Sequence, residues 1–342
     1  MHGTVHLFDR LPQVTRPAAA ASGGVALVRQ TPLIGVIRNP RSHRQPVAPL
    51  DWVGRGTLLV ETPDQRDELK DVLARFAERR VDYILVAGGD GTVRDVLSCG
   101  ASYFGESWPP LIVVPCGKTN ALAVDLGLPT RWSIEEALDA VTGGRIEQRR
   151  SLIVAQRDNA DARVQGFVFG AGAYASAIQL GQRAHDKGAF NSLGVIVTAL
   201  WSLLQALLGR AGNIWRQGTP MRLYDESGQE LSHSRLGPSD ERYFVFSSTL
   251  SRFPAGMRPF GDRRAAGLRT TVIDSAHRGV LLRLPLIFRG LVSPRMRRCG
   301  YHVFETEGLQ LDIADRFILD GEAFPAGRYR ITLGPKLRFV VP

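Results

Sequence analysis

The sequence predicts an α/β domain followed by a β-rich domain, with the functional site in the cleft between them. Up to about residue 150, short apolar segments alternate with helical segments, as in a doubly wound parallel sheet. Beyond it the apolar segments are mostly strand-like, which favours a sandwich-like arrangement. Because 342 residues exceed what one core usually organises, we predict a loosely ordered tail (1–30), an α/β domain (31–150) and a β-rich domain (151–342).

The first domain is predicted from apolar runs that are bounded by turn residues. Four runs have the length and composition of buried strands: 33–37, 57–60, 83–86 and 111–114. Helices are predicted between them at 64–79, 92–97 and 119–126. Acidic residues in the first turn of the 64–79 segment suit the positive end of a helix dipole.

The second domain is predicted from strand-like runs at 151–154, 166–169, 221–224 and 243–246. One long apolar segment, 193–208, has helical spacing and a narrow polar stripe. Three interpretations stay open for it: a buried core helix, an interfacial membrane contact or a membrane span, for which it is short.

The charge balance favours anionic partners. The chain has 43 Lys and Arg against 33 Asp and Glu, a formal charge of +10. Nucleotides, acidic lipid surfaces and nucleic acid all fit, but no Cys/His finger spacing or aromatic-rich RNA-binding signature supports nucleic acid. Three scattered cysteines and the lack of an export signal predict a cytoplasmic protein without a disulfide framework or zinc site.

A glycine-rich turn is the main candidate for a binding site. Gly88, Gly89, Asp90, Gly91 and Thr92 follow a predicted strand and precede a helix, which is the setting in which backbone N–H groups receive phosphate. A simple connecting turn would not need three glycines around one acid. The dinucleotide fingerprint would need glycine at Arg94, and the Walker A loop would need glycine at Ile112, so neither pattern applies.

Several motifs together resemble one enzyme family. Asn39-Pro40, Thr62, the 88–92 turn and the loop from Pro115 to Asn120 resemble, in order and spacing, the diacylglycerol kinase catalytic superfamily, which includes bacterial lipid kinases and the sphingosine and ceramide kinases. Further similarity lies at 169–172 and in the acidic motif 320–322, so that the resemblance extends from residue 33 to the end. The glycine turn alone would also fit NAD kinases and phosphofructokinases.

The resemblance implies ATP and Mg²⁺ as cofactors and gives roles to individual residues. Glu322 would be the general base for the acceptor hydroxyl, supported by Asp320. Asp90 would belong to the site either as a metal contact or as the base, and this choice stays open. The nucleotide would be contacted by Asn39, Pro40, Ser42, Thr62, Gly88, Gly89, Asp90, Gly91, Thr92, Gly117, Lys118, Thr119 and Asn120.

Two segments depart from the family pattern. The common Gly-Thr-x-Asn-Asp loop reads Gly117-Lys118-Thr119-Asn120-Ala121 here, so that its second acid is missing and a form closer to the sphingosine kinases appears. Lys118 could neutralise phosphate charge or be an ordinary exposed lysine. The usual Ser-Gly after Asn39-Pro40 is also altered, to Ser42-His43.

A lipid kinase must reach its acceptor in a membrane. Between 277 and 298, arginines alternate with leucines and other apolar residues, which suits either an anionic membrane surface or a core element with solvated arginines. We therefore predict a cytoplasmic enzyme, peripherally bound to the inner face of the membrane, that transfers the γ-phosphoryl group of ATP to a primary lipid hydroxyl. A ceramide or sphingoid acceptor is favoured over diacylglycerol. An NAD kinase and a non-catalytic nucleotide- or lipid-binding regulator are the alternatives.

Overall fold

The computed structural model describes residues 8–14, 29–42, 55–177, 214–261, 267–291 and 294–342. The predicted helix at 193–208 lies outside these ranges. Within them, none of the helices combines the length and the apolar character that crossing a bilayer requires.

The first part of the chain alternates strands and helices as the sequence predicts. Its elements are β1 (Leu33–Arg38), β2 (Thr57–Glu61), α1 (Arg66–Glu78), β3 (Tyr83–Gly88), α2 (Asp90–Phe104), β4 (Leu111–Pro115), α3 (Ala121–Leu126) and α4 (Ile134–Gly143). Strands β2, β1, β3 and β4 lie side by side in this order, and each neighbouring pair is parallel.

The rest of the described chain is mainly strands. These are β5 (Arg145–Gln156), β6 (Arg163–Gly166), β7 (Val168–Gly172), β8 (Thr219–Tyr224), β9 (Glu241–Arg242), β10 (Phe244–Ser248), β11 (Leu268–Ile273), β12 (Tyr301–Thr306), β13 (Gly308–Ile313), β14 (Phe317–Leu319), β15 (Glu322–Phe324) and β16 (Gly327–Val341). Two short helices, α5 (Arg278–Leu281) and α6 (Leu284–Phe288), join β11 to β12, and 3₁₀ turns lie at Ile214–Arg216, Pro254–Gly256 and Pro294–Cys299.

The parallel strands are covered by helices on both faces. Ile84 and Val86 of β3 join the core formed with α1 and α2, whereas Leu85 and Ala87 join the core formed with α4. Successive residues of a strand point to opposite faces, so that a strand buried on both sides is apolar throughout. This arrangement confirms the predicted doubly wound α/β fold.

The β-rich part is a sandwich of two sheets, as predicted. A six-stranded antiparallel sheet, β12-β11-β10-β7-β14-β15, packs on the larger sheet that continues from β4 through β16, β13, β8 and β9, with β5 and β6 beside β16. Phe169 and Phe317 of the smaller sheet share a core with Leu311 and Ile331 of the larger one. The two sheets bury their apolar faces against each other.

Three features differ from the element predictions. Residues 8–14 were assigned to a loosely ordered tail, but Leu11 and Val14 are buried, and Phe8 and Val14 donate backbone hydrogen bonds to Ala323 and Asp161. Helix α2 is longer than predicted at both ends. Helix α4 was missed, although Ser133 and Glu136 form a capping box that signals its start in the sequence.

The two-domain division stays a prediction, and its boundary at residue 150 falls inside β5. The last strand, β16, pairs with β5 along most of its length and lies beside β4 through Phe339 and Leu111. A single sheet therefore runs through both predicted domains, because the end of the chain returns to the first one.

Candidate active site

The glycine turn lies at the carboxyl edge of the parallel strands. β3 ends at Gly88 and α2 begins at Asp90, so that Gly89 is the N-cap residue of the helix. Amide N–H groups at a helix N-terminus carry a partial positive charge and can receive phosphate oxygens. The strand, glycine turn and helix that the sequence predicts are therefore present in this order.

Asn39 fastens the end of β1 to this turn. Its backbone N–H donates to the carbonyl of Ala87 at 3.1 Å, and its side-chain Nδ2 donates to Thr92 Oγ1 at 2.8 Å. Gly88 packs against the same threonine, because a Cβ added to it would lie 2.5 Å from Thr92 Oγ1. The first predicted motif and the glycine turn thus form one structural unit at the junction of β1 and β3.

The second predicted loop packs against the first through glycines. A Cβ added to Gly117 would lie 2.6 Å from the Cα of Gly89 and 2.8 Å from Asn120 Oδ1. Asn120 closes the loop, since its Oδ1 accepts from the N–H of Gly117 at 2.9 Å and its Nδ2 donates to the Gly117 carbonyl at 2.7 Å. Asn120 has a left-handed backbone, with φ of 48°, which asparagine tolerates better than most residues.

Asp90 joins the two loops. Its carboxylate accepts from the N–H of Ala121 at 2.8 Å and from the N–H of Leu122 at 3.2 Å, the first residues of α3. Burial raises the pKa of Asp90, against the lowering effect of these two hydrogen bonds and of the Arg94 charge. Asp90 therefore acts as a structural clamp, because its hydrogen bonds tie the glycine turn to the first residues of α3, directly after the 117–120 loop.

The acidic motif forms the hairpin between β14 and β15. Asp320 and Gly321 both have positive φ, 46° and 85°, as a two-residue hairpin of the Asp-Gly type requires. The Asp320 carboxylate turns inwards and accepts from the N–H groups of Phe167 and Val168, the latter at 2.9 Å. Burial and the nearby Asp90 charge raise the pKa of Asp320 to about 7, despite the opposing charge of Arg94 and these amides.

Glu322 brings the β-rich part to the glycine turn. A Cβ added to Gly91 would lie 3.4 Å from Glu322 Oε1, so that the carboxylate rests directly against the turn. The side chain is 21% exposed. Its Oε2 atom is buried and has no hydrogen-bond partner in the part of the chain that the structure describes. The hairpin thus carries the carboxylate to the glycine turn.

Arg94 is a site residue that the sequence analysis missed. It lies one turn into α2, is fully buried, and forms ion pairs with Glu322 at 3.1 Å and with Asp95 at 3.0 Å. These two carboxylates, with Asp320, raise the pKa of Arg94 even though burial opposes its charge. A charged residue on the inner face of an amphipathic helix was the available signal, because it requires a buried partner.

Two more residues near the site were missed. The ring of Phe8 stacks on Phe324, with centroids 4.8 Å apart, and the Arg66 guanidinium lies 3.9 Å from the Phe8 ring centroid. Tyr174 packs against Phe244 and Phe246, and burial together with the Asp320 and Asp90 charges raises its pKa. Neither residue lies in a motif, so no local pattern marked it.

Comparisons with known proteins agree with the resemblance that the sequence motifs indicate. Residues 54–152 match the family model described as the diacylglycerol kinase catalytic domain. The predicted resemblance is confirmed. A diacylglycerol kinase of Bacillus subtilis (strain 168) is 43% identical over 68 residues, which is 20% of this chain. The match spans only about a fifth of that relative's length, 22%.

Solved structures of the same kind share the fold over nearly the whole chain. A crystal structure of a diacylglycerol kinase from Bacillus anthracis strain Sterne has a TM-score of 0.64 and 15% identity, covering 92% of this chain and 98% of that one. A second structure from the same organism has the same TM-score and 16% identity, with coverage of 93% and 99%. At this identity the likeness shows the fold alone.

The remaining predicted nucleotide contacts lie at the same edge of the sheet, around the unit that the 88–92 turn and the 117–120 loop form. Thr62 directly follows β2 and is exposed, as are Lys118 and Thr119 in the loop after β4. Pro40 and Ser42 follow β1 and are half-buried, and Ser42 Oγ has no hydrogen-bond partner among the described residues. Like Asn39, the 88–92 turn, Gly117 and Asn120, these five positions stay predictions as nucleotide contacts.

The groups at the glycine turn fit a nucleotide that binds together with Mg²⁺. The turn stands at the N-terminus of α2, where backbone N–H groups can receive phosphate oxygens. Among the described residues, no group of three His, Cys, Asp or Glu could hold a metal by itself. Mg²⁺ is usually bound by one or two carboxylates together with substrate phosphates, and Asp90 is a carboxylate within the turn.

Proposed function

We propose that the protein is an ATP-dependent lipid kinase that phosphorylates a primary hydroxyl group. The observation that carries the proposal is the contact of Glu322 with Gly91, which puts a carboxylate beside the phosphate-binding turn. A kinase needs both groups within reach of one acceptor hydroxyl, since phosphoryl transfer depends on positioning and charge stabilisation. The match to the diacylglycerol kinase catalytic domain supports the same reaction class.

The reaction that we propose assigns one step to Glu322. The acceptor oxygen forms a bond to the γ-phosphorus, the bond from that phosphorus to the bridging oxygen breaks, and its electron pair leaves with ADP. Glu322 takes the hydroxyl proton, a role that typically contributes about 10²–10⁴-fold to the rate. Backbone amides of residues 88–92 would hold the phosphates, and Mg²⁺, when bound, would neutralise charge on them.

A panel of acceptors tests this proposal. Purified protein is given γ-labelled ATP with mixed micelles containing ceramide, sphingosine, monoacylglycerol or diacylglycerol, and with NAD in a separate reaction. We expect a labelled lipid product, abolished in Glu322→Gln although ATP still binds. Glu307→Gln, a change at an exposed glutamate elsewhere in the β-rich part, is the control and should retain activity. Turnover with NAD, or with no acceptor in the panel, would refute the proposal.

Within this proposal, two observations favour different classes of lipid acceptor. The loop from Lys118 to Ala121 resembles the sphingosine kinase form and favours ceramide or a sphingoid base. Diacylglycerol is the second candidate, favoured by the names of the relatives and of the matching family model. The same panel separates them by the ratio of kcat/KM between the ceramide and diacylglycerol micelles.

We further propose that the enzyme works at the surface of an anionic membrane. The segment formed by α5, α6 and the residues that follow (278–291) has apolar side chains of two kinds. Leu282, Leu286 and Leu291 are 65%, 46% and 63% exposed, whereas Val280 and Ile287 are buried in a local core. The segment thus has both a core face and an exposed apolar face. Between Asp274 and Glu305 the sequence contains no acidic residue. The exposed arginines that the structure describes there are Arg278, Arg283, Arg289, Arg297 and Arg298.

Apolar side chains surrounded by arginines suit an anionic bilayer, because insertion and charge attraction add together. The test is co-sedimentation with vesicles of phosphatidylcholine alone or with added phosphatidylglycerol. Wild-type protein should bind the anionic vesicles, and a triple Leu282→Ser, Leu286→Ser, Leu291→Ser variant should not. Ile146→Ser, which alters an apolar residue that is 50% exposed in β5, is the matched control. Equal binding by the triple variant and the control would refute this docking face.

A further inference from the structure

The buried Arg94 holds Glu322 through one of its two carboxylate oxygens. Its guanidinium forms the ion pair with Oε1 at 3.1 Å, and the same Oε1 is the oxygen nearest to Gly91. Oε2 has no partner among the described residues. A carboxylate held through one oxygen by a buried guanidinium has a defined orientation.

Arg94 is itself held from several sides. Its Nη1 donates to the carbonyl of Leu319 at 3.2 Å, at the end of the strand before the hairpin, and its Nη2 donates to Asp95 at 3.0 Å. Asp95 also pairs with Arg66 at 2.5 Å, and the Arg66 guanidinium packs on Phe8. Burying a charged guanidinium is costly unless partners compensate its charge. The contacts with Leu319, Asp95 and Glu322 provide this compensation for Arg94.

The network also joins separate parts of the chain. Arg66 begins α1, Arg94 and Asp95 lie in α2, and Glu322 lies in β15, more than two hundred residues later. Phe8 reaches the same place from the N-terminal segment, where its N–H donates to the carbonyl of Ala323 at 3.0 Å. The position of the Glu322 carboxylate is therefore set by contacts from α2.

We propose that Arg94 is a positioning residue that holds the Glu322 carboxylate against the glycine turn, in the orientation in which it takes the proton of the lipid hydroxyl. This inference rests on the proposed kinase function, in which Glu322 is the base. Arg94 acts through Glu322 and touches neither substrate. Loss of Arg94 therefore impairs the chemical step and leaves nucleotide binding by the glycine turn in place.

Steady-state kinetics with ATP and the best lipid of the panel tests the proposal. In Arg94→Met we expect kcat to fall on the order of 10²-fold, since a base displaced by about 1 Å loses this much, while the KM for ATP changes less than about twofold. Arg94→Lys should lie between wild type and Arg94→Met, because an ammonium keeps the charge without the planar fork. Adding Arg94→Met to Glu322→Gln should cause little further loss, since the two residues act as one unit.

Arg242→Met is the matched control. Arg242 is also buried and pairs with Asp274, at β9 on the far edge of the larger sheet, so that its loss tests the general cost of removing a buried arginine. If Arg94→Met lowers kcat no more than Arg242→Met does, or raises the KM for ATP instead, the positioning role is wrong. If Arg94→Met does not fold, Arg94→Lys decides: a reduced kcat at unchanged KM supports the role, and a wild-type kcat overturns it.

A second measurement does not depend on activity. A double-mutant cycle of unfolding free energies with Arg94→Lys, Glu322→Gln and both changes together should be non-additive, because the residues are in direct contact. Additive effects would show that the ion pair is absent in solution. If the wild-type protein phosphorylates no lipid while this cycle shows coupling, the proposed function fails and the ion pair stands.

Discussion

Gly117→Ala tests whether the two glycine loops must touch for ATP to bind. The new Cβ would lie 2.6 Å from the Cα of Gly89 and 2.8 Å from Asn120 Oδ1. Carbon atoms in good contact are about 3.5–4.0 Å apart, so the loops would have to separate by roughly 1 Å. Overpacking of this kind costs about 1–3 kcal/mol. Without ligand the loops can relax apart, but bound phosphate needs them closed, so the cost falls on binding.

Since 1.4 kcal/mol corresponds to a tenfold change, we expect ATP to bind Gly117→Ala about 5- to 150-fold more weakly. Isothermal titration calorimetry with ATP and Mg²⁺ measures this directly, and thermal unfolding checks that the fold survives. Gly143→Ala is the control, because Gly143 is the exposed last residue of α4 and a Cβ there meets no atom within 4 Å. If Gly117→Ala binds ATP within twofold of wild type, the close packing of the loops does not govern nucleotide binding.

Three further predictions concern other parts of the site. Because the pKa of Asp320 is raised to about 7, the unfolded state releases this proton at lower pH than the folded state does, so stability should fall as pH rises from about 4 to 7. Asp320→Asn should flatten that dependence in urea titrations at several pH values, and an unchanged slope would contradict it. Asp90→Asn should lower the unfolding free energy by about 1–3 kcal/mol and weaken ATP binding, because one of two backbone N–H groups loses its acceptor; wild-type affinity and stability would refute the clamp. Phe8→Ala should lower the free energy of unfolding by about 1–2 kcal/mol, because the stack on Phe324 and the contact with Arg66 are lost. It should also lower kcat, and an unaffected kcat would show that the N-terminal segment does not influence Glu322.

The elements of the α/β part could be predicted because their signals are local. An apolar run such as 83–86 is recognisable as a buried strand from its own composition, and the glycine turn that follows it is a contiguous motif. Helix α4 was missed in spite of an equally local signal, the capping box at Ser133 and Glu136. Because this signal lies within four consecutive residues, helix α4 could also be predicted from the sequence.

The N-terminal segment shows a different kind of limit. Residues 8–14 have no periodicity, yet Leu11 is buried in the sandwich core and Phe8 lies beside the site. Their order comes from contacts with strands that follow more than a hundred residues later, such as the Phe8 hydrogen bond to Ala323. A segment stabilised only by tertiary packing has no signature of its own in the sequence.

The sequence by itself determined the α/β-plus-β fold class, the glycine turn and the acidic motif, because backbone propensity and short motifs are properties of neighbouring residues. Only the tertiary structure decided how these parts are used. It turned Asp90 into a clamp for α3, placed Glu322 against Gly91, and gave that carboxylate a buried arginine as its partner. Such pairings form between residues that are distant along the chain, where burial strengthens charge interactions and requires each charge to find a partner.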